Sequence, residues 1–537
     1  METSTSRKLI AQLKEAKDPL TVLSIIQKLS AFPLNRPSFI REYHEQLLFL
    51  KAFPYNKNLW VAAQNETERI ALALKQAGQN VYHSLSGDGM IHTEIICSYS
   101  LSLTRWLTQQ FPESVYFHSS SATTETVKNT IQLLCPFIEF EKTTQGELNL
   151  GKRMAEVSGI KNPQNQLRWL LSCFEESKLP LNIKEELYRQ LQVFVLWKIN
   201  KPYFSRSFLN RHTEKIYYSK KLLKKPNAKS IINKGRYTEQ LLLPAQKTQL
   251  CNTIKTTLAL LSRETDPVTY MEEKAVQLFQ MGRGLSIALT YMQKEKRLSL
   301  ECYVGYMAFK NGIPVSYGGG WILGDQCKIG VNIFPAFRRG ESAWIFSQTL
   351  CLYRHQFKVN SFYVNPYQFG KGNPEGIKSG AFWFYYRMGF RPAQQDINGL
   401  AKMEWNRIKK NNNYRSTIET LKKFTKCPVV LSLNYQKEIP LLASEISIAI
   451  SNHINRHFFS NRNAAIKEGY RKIQKQLKLQ TQNESLALLY LLADENNRLT
   501  LKKKRKLVTI FNFKNQGSET DFILKLTKFQ GYLKLLQ

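Results

Sequence analysis

Apolar residues in the first thirty positions recur at helical spacing: Leu9, Leu13, Leu20, Leu23, Ile26 and Leu29 are separated by three, four or seven residues. Pro33 and Pro37 end that run. A second helix is expected over 39–53, closed by Pro54, and further helical patterns cover 66–77, 98–111, 123–134, 165–176 and 183–198. Short strands are expected at 81–83 and 115–117. Residues 1–200 therefore read as a mostly helical domain. The stretch 201–244, with its run YYSKKLLKKPNAKS, reads as a basic linker or exposed basic surface.

Two more helices are expected over 245–262 and 270–292, and then the period changes. YVGYMAF at 303–309 reads as a strand, Asn311-Gly312 as a hairpin turn, and a return strand starts at 313–317. Gly318-Gly319-Gly320 is expected to interrupt it before Trp321-Ile322-Leu323. A third strand over 328–334 runs into PAFRRGES, and a helix follows over 342–356. A strand at 361–364, the loop NPYQFGKGNPEGIK and a helix over 379–388 come next. Gly389-Phe390 stops that helix, and a last strand pair is expected over 390–405. Residues 245–408 thus predict an α/β (α+β) domain with a mixed, mostly antiparallel sheet. Residues 409–537 predict a helical, basic C-terminal region with one strand at 429–433.

Composition adds partners to this picture. A hydrophobic share of 43% supplies material for real cores, which argues against wholesale disorder. Seventy-seven Lys and Arg against 41 Asp and Glu give a formal charge of +36. A field of that sign attracts polyanions: nucleic acid, anionic lipid, an acidic carrier protein or a phosphate-rich cofactor. AT-rich coding, which enriches Lys, Asn, Ile and Tyr, produces the same composition without any such partner. The cluster LKKKRK at 501–506 reads first as a solvated face and second as a nucleic-acid contact. The eight cysteines stand singly with no CxxC, so neither a zinc ribbon nor a disulfide framework is encoded. No signal-peptide core and no span of about 20 apolar residues occurs, and a cytoplasmic protein without a transmembrane segment is the expectation.

Candidate chemistry concentrates in KIGVNIFPAFRRGESAWIFSQTLCLYR. An apolar strand ends, a turn containing Gly340 follows, and Ser342 and Ala343 open an amphipathic helix. Such a turn leaves backbone N–H groups unpaired at a helix N-terminus, where the helix dipole favours an anion. Gly340 lets a phosphate approach closely, and Arg338 and Arg339 add charge-assisted contacts.

Hairpin, central strand, Gly turn, helix, strand, and then a helix ending Tyr385-Tyr386-Arg387-Met388-Gly389-Phe390: in this order the segment resembles the GNAT superfamily of N-acyltransferases. The resemblance covers roughly 150 residues and rests on element order and two motif ends. It implies that the turn grips the pyrophosphate of coenzyme A, and that the central strand splays from its neighbour so that the pantetheine arm lies between them. It implies acetyl-CoA or another acyl-CoA as donor, an amine acceptor, and no metal. Backbone N–H groups near Ile333 and Phe334 would serve the thioester carbonyl. Tyr385, four residues before Gly389 and with Ala381 at the small position one turn earlier, would protonate the leaving thiolate. Lys378 occupies the place where the family commonly has Asn. Glu341 sits inside the turn, where its carboxylate opposes a phosphate unless it points away and caps the helix. For the general base Glu301, Asp325 and Glu375 are candidates, and none is assigned. A donor on aminoacyl-tRNA or acyl carrier protein is the alternative, as is a non-catalytic scaffold binding RNA or protein.

Other signals are weaker. His453 and His457 lie four apart on an expected helix but have no third ligand nearby in sequence, so no metal is expected there. SLSGDGMIH at 84–92 reads as a loop. No GxxxxGK[ST] or GxGxxG occurs, which argues against a nucleotide hydrolase or a dinucleotide site.

Overall fold

Asp18, Asn56, Ser100, Thr123, Asn149 and Asn162 each stand just before a helix and accept a hydrogen bond from its first turn. Satisfied N-termini of this kind fix where the helices begin, and the helices expected over 98–111, 123–134 and 165–176 start within three residues of such a cap. The computed structural model describes residues 2–135, 137–139, 141–142, 146–211, 213, 215–411, 413–433, 441–495 and 498–536. The chain divides into two units. The first comprises Met1–Lys221, Leu243–Tyr270 and Phe309–Pro314; the second comprises Leu222–Leu242, Met271–Ala308 and Val315–Gln537. Among the described residues no helix is long and apolar enough to cross a membrane.

The first unit holds β1 (Glu94–Ser98), β2 (Val115–Ser120) and β3 (Val193–Lys198), an antiparallel sheet in the order β1-β3-β2. One core gathers Ile10, Ile26, Tyr43, Leu47 and Ile70 from the first helices, and a second gathers Leu107, Leu150, Leu167, Val195 and Trp197. Two expectations fail here. The segment 81–83 is helical, within Gln79–Ser84, because the N–H groups of Val81 and Tyr82 both turn back to the Gly78 carbonyl. The helix expected over 183–198 stops at Leu191, where Gln192 adopts a left-handed conformation with φ 43°. The apolar run VFVLWK that follows is β3.

The second unit contains a nine-stranded mixed sheet, and the chain as a whole is mixed α/β. Its strands are β4 (Thr238–Gln240), β5 (Gln277–Gly282), β6 (Leu285–Thr290), β7 (Cys302–Lys310), β8 (Ile313–Leu323), β9 (Gln326–Ile333), β10 (Ser361–Val364), β11 (Arg391–Pro392) and β12 (Val429–Ser432). Their spatial order is β11-β12-β10-β9-β8-β7-β6-β5-β4. β9 and β10 run parallel, whereas β8 and β9, β10 and β12, and β5 with both its neighbours run antiparallel. A parallel neighbour needs a crossover, and the helix Ser342–Phe357 supplies it. That helix is buried along most of its length, including Ile345, Phe346, Leu350, Tyr353 and Phe357.

Three expectations are corrected in this unit. The helix expected over 270–292 is the β5–β6 hairpin, which turns at Gly282-Arg283-Gly284 with φ values of 79°, 52° and 71°. The three glycines do not interrupt β8, which runs unbroken from Ile313 to Leu323. They are the only residue type that fits: a Cβ on Gly319 would lie 2.5 Å from the Tyr303 ring, and one on Gly320 would lie 2.5 Å from Cys327 Sγ. The strand pair expected over 390–405 is β11 followed by the helix Gln395–Lys410, which buries Ile397, Ala401 and Glu404 on one face.

The stretch 201–244 carries structure of its own: the helix Ala228–Lys234 packs on Ser342–Phe357, and β4 pairs with β5. Residues 409–537 belong to the unit that holds the nine-stranded sheet. Arg297 donates to the carbonyls of Lys514 and Gly517, and Glu519 accepts the Met292 N–H, tying the last helices to the loop after β6. Within the cluster 501–506, Lys504 is buried and paired with Asp494 while its neighbours on the helix are largely exposed.

Candidate functional site

Pairing between β9 and β10 stops early. It covers Gln326 with Ser361, Cys327 with Phe362 and Lys328 with Tyr363, and among the described residues no partner continues it along β9. On its other edge β9 stays paired with β8 as far as Ile333 opposite Ser316. The two parallel strands therefore part, leaving one edge of β9 free from Ile329 to Ile333. Which backbone groups face that gap follows from the register. Phe334 donates its N–H to the Val315 carbonyl, so the Ser316–Ile333 pair is of the non-hydrogen-bonded kind. Alternation then turns the N–H and C=O groups of Ile333, Val331 and Ile329 away from β8 and toward the gap.

A cleft of about 730 Å³ opens at this point, lined by Val331, Asn332 and Ile333 on the strand side. Arg338, Ser342 and Ala343 line it at the start of the crossover helix, and Ala381, Phe384, Tyr385 and Met388 form the facing wall. Lys224, Lys225 and Arg387 contribute further positive charge, and Glu375 is the one acid among the lining residues. The first intrahelical bond runs from the Ile345 N–H to the Glu341 carbonyl. The N–H groups of Ser342 and Ala343 have no partner among the described residues and sit at the positive end of a 16-residue helix.

The turn is arranged so that its acid stays out of the cleft. Glu341 is fully buried, accepts the Leu223 N–H at 2.9 Å, and pairs with Arg283 at 2.8 Å. It points away, as an anion site requires, but its side chain does not cap the helix. Arg338 donates to the Ile333 carbonyl at 3.2 Å and pairs with Glu375 across the cleft at 3.2 Å. Gly340 is buried and donates its N–H to Phe337, so it shapes the turn and does not line the cleft. Arg339 is half-buried beside it.

Tyr385 is almost wholly buried among Phe346, Phe369, Phe384 and Phe390. Its hydroxyl makes no hydrogen bond among the described residues, and burial pushes it well above the ordinary tyrosine range. The hydroxyl therefore stays neutral at any physiological pH and can donate a hydrogen bond at the cleft wall. Behind β9, Tyr306 donates to the Gly330 carbonyl and Asn332 donates to Tyr317, holding the strand from the β8 side.

The structure thus brings Ile333, Arg338, Ser342, Ala343 and Tyr385 to one cleft. Phe334 does not line it: its N–H, expected to serve the thioester carbonyl, is taken by the Val315 carbonyl and its ring stacks on Tyr317, while Lys378 is exposed outside the lining. Of the three carboxylates considered as bases, only Glu375 lines the cleft. Asp325 sits at the opposite end of β9, where it accepts from Asn360. Sequence reasoning missed Lys224 and Lys225. The signal was their density in KKLLKKP, but charge alone does not reveal that this segment folds back beside the crossover helix.

The chain matches none of the family models, curated proteins and solved structures with which it was compared. The reading of the cleft therefore rests on its own chemistry.

Proposed function

We propose that the cleft binds an acyl thioester of coenzyme A and that the chain is a GNAT-type N-acyltransferase acting on an amine. The observation that carries this reading is the parting of β9 from β10 directly beside an uncapped, basic helix N-terminus. A free strand edge pairs with the amides of a pantetheine arm as it would with an added strand. The unpartnered N–H groups of Ser342 and Ala343, with Arg338 beside them, suit the pyrophosphate. Lys224, Lys225 and Arg387 offer charge for the remaining phosphate.

In this arrangement the thioester carbonyl lies near the end of β9, where the Ile333 N–H faces the gap and stabilises the developing oxyanion. The amine nitrogen attacks the carbonyl carbon, the C–N bond forms and the C–S bond breaks. Tyr385 gives its proton to the departing thiolate and recovers one from solvent. The proton shed by the amine leaves through the open mouth to water. Holding two reactants in line accounts for much of the rate, so no strongly basic side chain is required.

Calorimetric titration with acetyl-CoA, coenzyme A and a long-chain acyl-CoA tests the donor site, with Ala343→Asp as the decisive variant. Ala343 is in the first turn of its helix, where a carboxylate favours the helix dipole, so the fold is kept while a phosphate is repelled. Affinity is expected to fall at least ~10-fold in the variant. Equal binding in both proteins, or none in either, defeats the coenzyme A reading. A second reading is favoured by the exposed pair Lys224 and Lys225 at the cleft: a donor carried on an acidic protein or on tRNA. Binding of such a donor weakens steeply with salt. Thiol release with an amine present separates either transferase from a non-catalytic scaffold.

A further inference from the structure

Away from the cleft, two histidines and a carboxylate converge in the C-terminal helices. His453 and His457 lie one turn apart on the helix Ala443–Phe458, so both project from the same face. Glu495 follows directly after the helix Glu484–Asp494 and brings its Oε1 between them. That oxygen is 3.2 Å from His453 Nδ1 and 3.1 Å from His457 Nε2, and all three atoms lie within 4.8 Å of one another. Three ligands around a tetrahedral metal, each at ~2.0–2.1 Å, are separated by ~3.3 Å. The carboxylate oxygen already stands at that separation from both imidazoles.

Burial supplies an independent reason. His453 is only 7% exposed, and its Nδ1 meets Glu495 Oε1 at 3.2 Å without the geometry of a hydrogen bond. A buried ring nitrogen whose polar neighbour is poorly aligned for a hydrogen bond is under-satisfied, and a metal ion between the two would ligate both. Glu495 keeps its second oxygen on Arg498 at 3.1 Å, an outer contact of the sort that fixes a ligating carboxylate. Arg456 is 3.9 Å from the ligating oxygen, but its side chain is largely exposed and free to withdraw. His457 is half exposed, so the fourth position opens to water.

We propose that His453 Nδ1, His457 Nε2 and Glu495 Oε1 form a transition-metal site that takes Zn²⁺, clamping the helix Ala443–Phe458 to the end of Glu484–Asp494. Two imidazoles and one carboxylate are a zinc-type donor set. Magnesium and calcium prefer oxygen cages, and a soft monovalent ion prefers sulfur. The flanking arginines oppose an added dication and moderate the affinity.

The test uses the full chain stripped with a chelator, titrated with Zn²⁺ and separately with Co²⁺, and followed by metal analysis after gel filtration and by the visible spectrum of bound Co²⁺. One equivalent per chain and a raised unfolding temperature are expected. His457→Ala removes an exposed side chain and preserves the fold. Loss of a whole ligand exceeds the effect of losing an outer contact, so zinc affinity is expected to drop about 100-fold or more in that variant and in Glu495→Gln. Failure of the wild-type chain to retain zinc overturns the proposal. So does one equivalent held undiminished by both variants, which would place the ion elsewhere.

Discussion

Arg283 Nη2 stands 2.8 Å from Glu341 Oε1, so the turn between β5 and β6 holds a carboxylate that would otherwise face the candidate anion site. Glu341 is fully buried and Arg283 about one quarter exposed. Taking one partner from a buried pair leaves an uncompensated charge, which destabilises by about 3–5 kcal/mol. Arg283→Ala is expected to lower the denaturant midpoint accordingly. Adding Glu341→Gln should restore part of the loss, because the neutral amide still accepts the Leu223 N–H.

Tyr385 offers a separable test of the chemistry. Tyr385→Phe keeps the ring among Phe346, Phe369 and Phe390 and deletes only the hydroxyl. On the acyl-transfer reading, kcat should fall by about 100-fold, with donor affinity and unfolding temperature nearly unchanged. Burial raises the hydroxyl above the ordinary tyrosine range, so it remains protonated through mildly alkaline pH. The rate should accordingly show no decline from Tyr385 below about pH 10. Unchanged kcat in the phenylalanine variant would remove Tyr385 from the mechanism.

Much of the stretch from 302 to 390 was legible because its signals are local. The turn at Asn311-Gly312 and the stop at Gly389 each name an element without help from distant residues. The β5–β6 hairpin was not legible in the same way. Every residue of β6 is buried, and a strand buried on both faces reads as an unbroken apolar run that periodicity does not separate from a helix. The flanking glycines were the better guide. Gly318 to Gly320 misled in the opposite direction, since their reason is the ring of Tyr303 and the side chains of Tyr353 and Cys327 pressed against the strand. The parting of β9 from β10 is a matter of register between segments more than thirty residues apart. Glu495 joins His453 and His457 across a comparable gap. Neither leaves a mark at fixed spacing.

Lys51 makes the stability of the first unit depend on alkaline pH. Its ammonium is buried, donates to the Ser207 carbonyl at 2.9 Å, and is lowered to about 8 chiefly by burial, with Glu68 acting weakly the other way. In the unfolded chain the group titrates near 10.4. Between those values the unfolded state holds a proton that the native state has released, so stability rises with pH across this window and is flat below it. The rise is on the order of 3 kcal/mol. Lys51→Met should abolish that slope in unfolding measured from neutral pH to about pH 10. An identical slope in the variant would assign the proton to another group.

Two glycines on facing strands should respond oppositely to a methyl group. A Cβ on Gly318 would lie 2.3 Å from the Gly330 carbonyl oxygen and 2.8 Å from the ring and hydroxyl of Tyr306. The carbonyl is β9 backbone and already accepts the Tyr306 hydroxyl at 3.1 Å, so nothing nearby yields without moving the strand. Gly318→Ala is therefore expected to destabilise by about 1–3 kcal/mol and, by shifting β9 where its free edge begins, to weaken donor binding as well. On Gly330 the nearest atom to an added Cβ is Gln368 Nε2 at 3.3 Å, the tip of a flexible side chain. Gly330→Ala should be accommodated with a loss below about 1 kcal/mol. Denaturant midpoints for the two variants, set beside their donor affinities, check both halves. Equal tolerance at the two positions would mean that β8 and β9 are less tightly apposed than this packing requires, and the origin of the cleft would have to be sought in β10 instead.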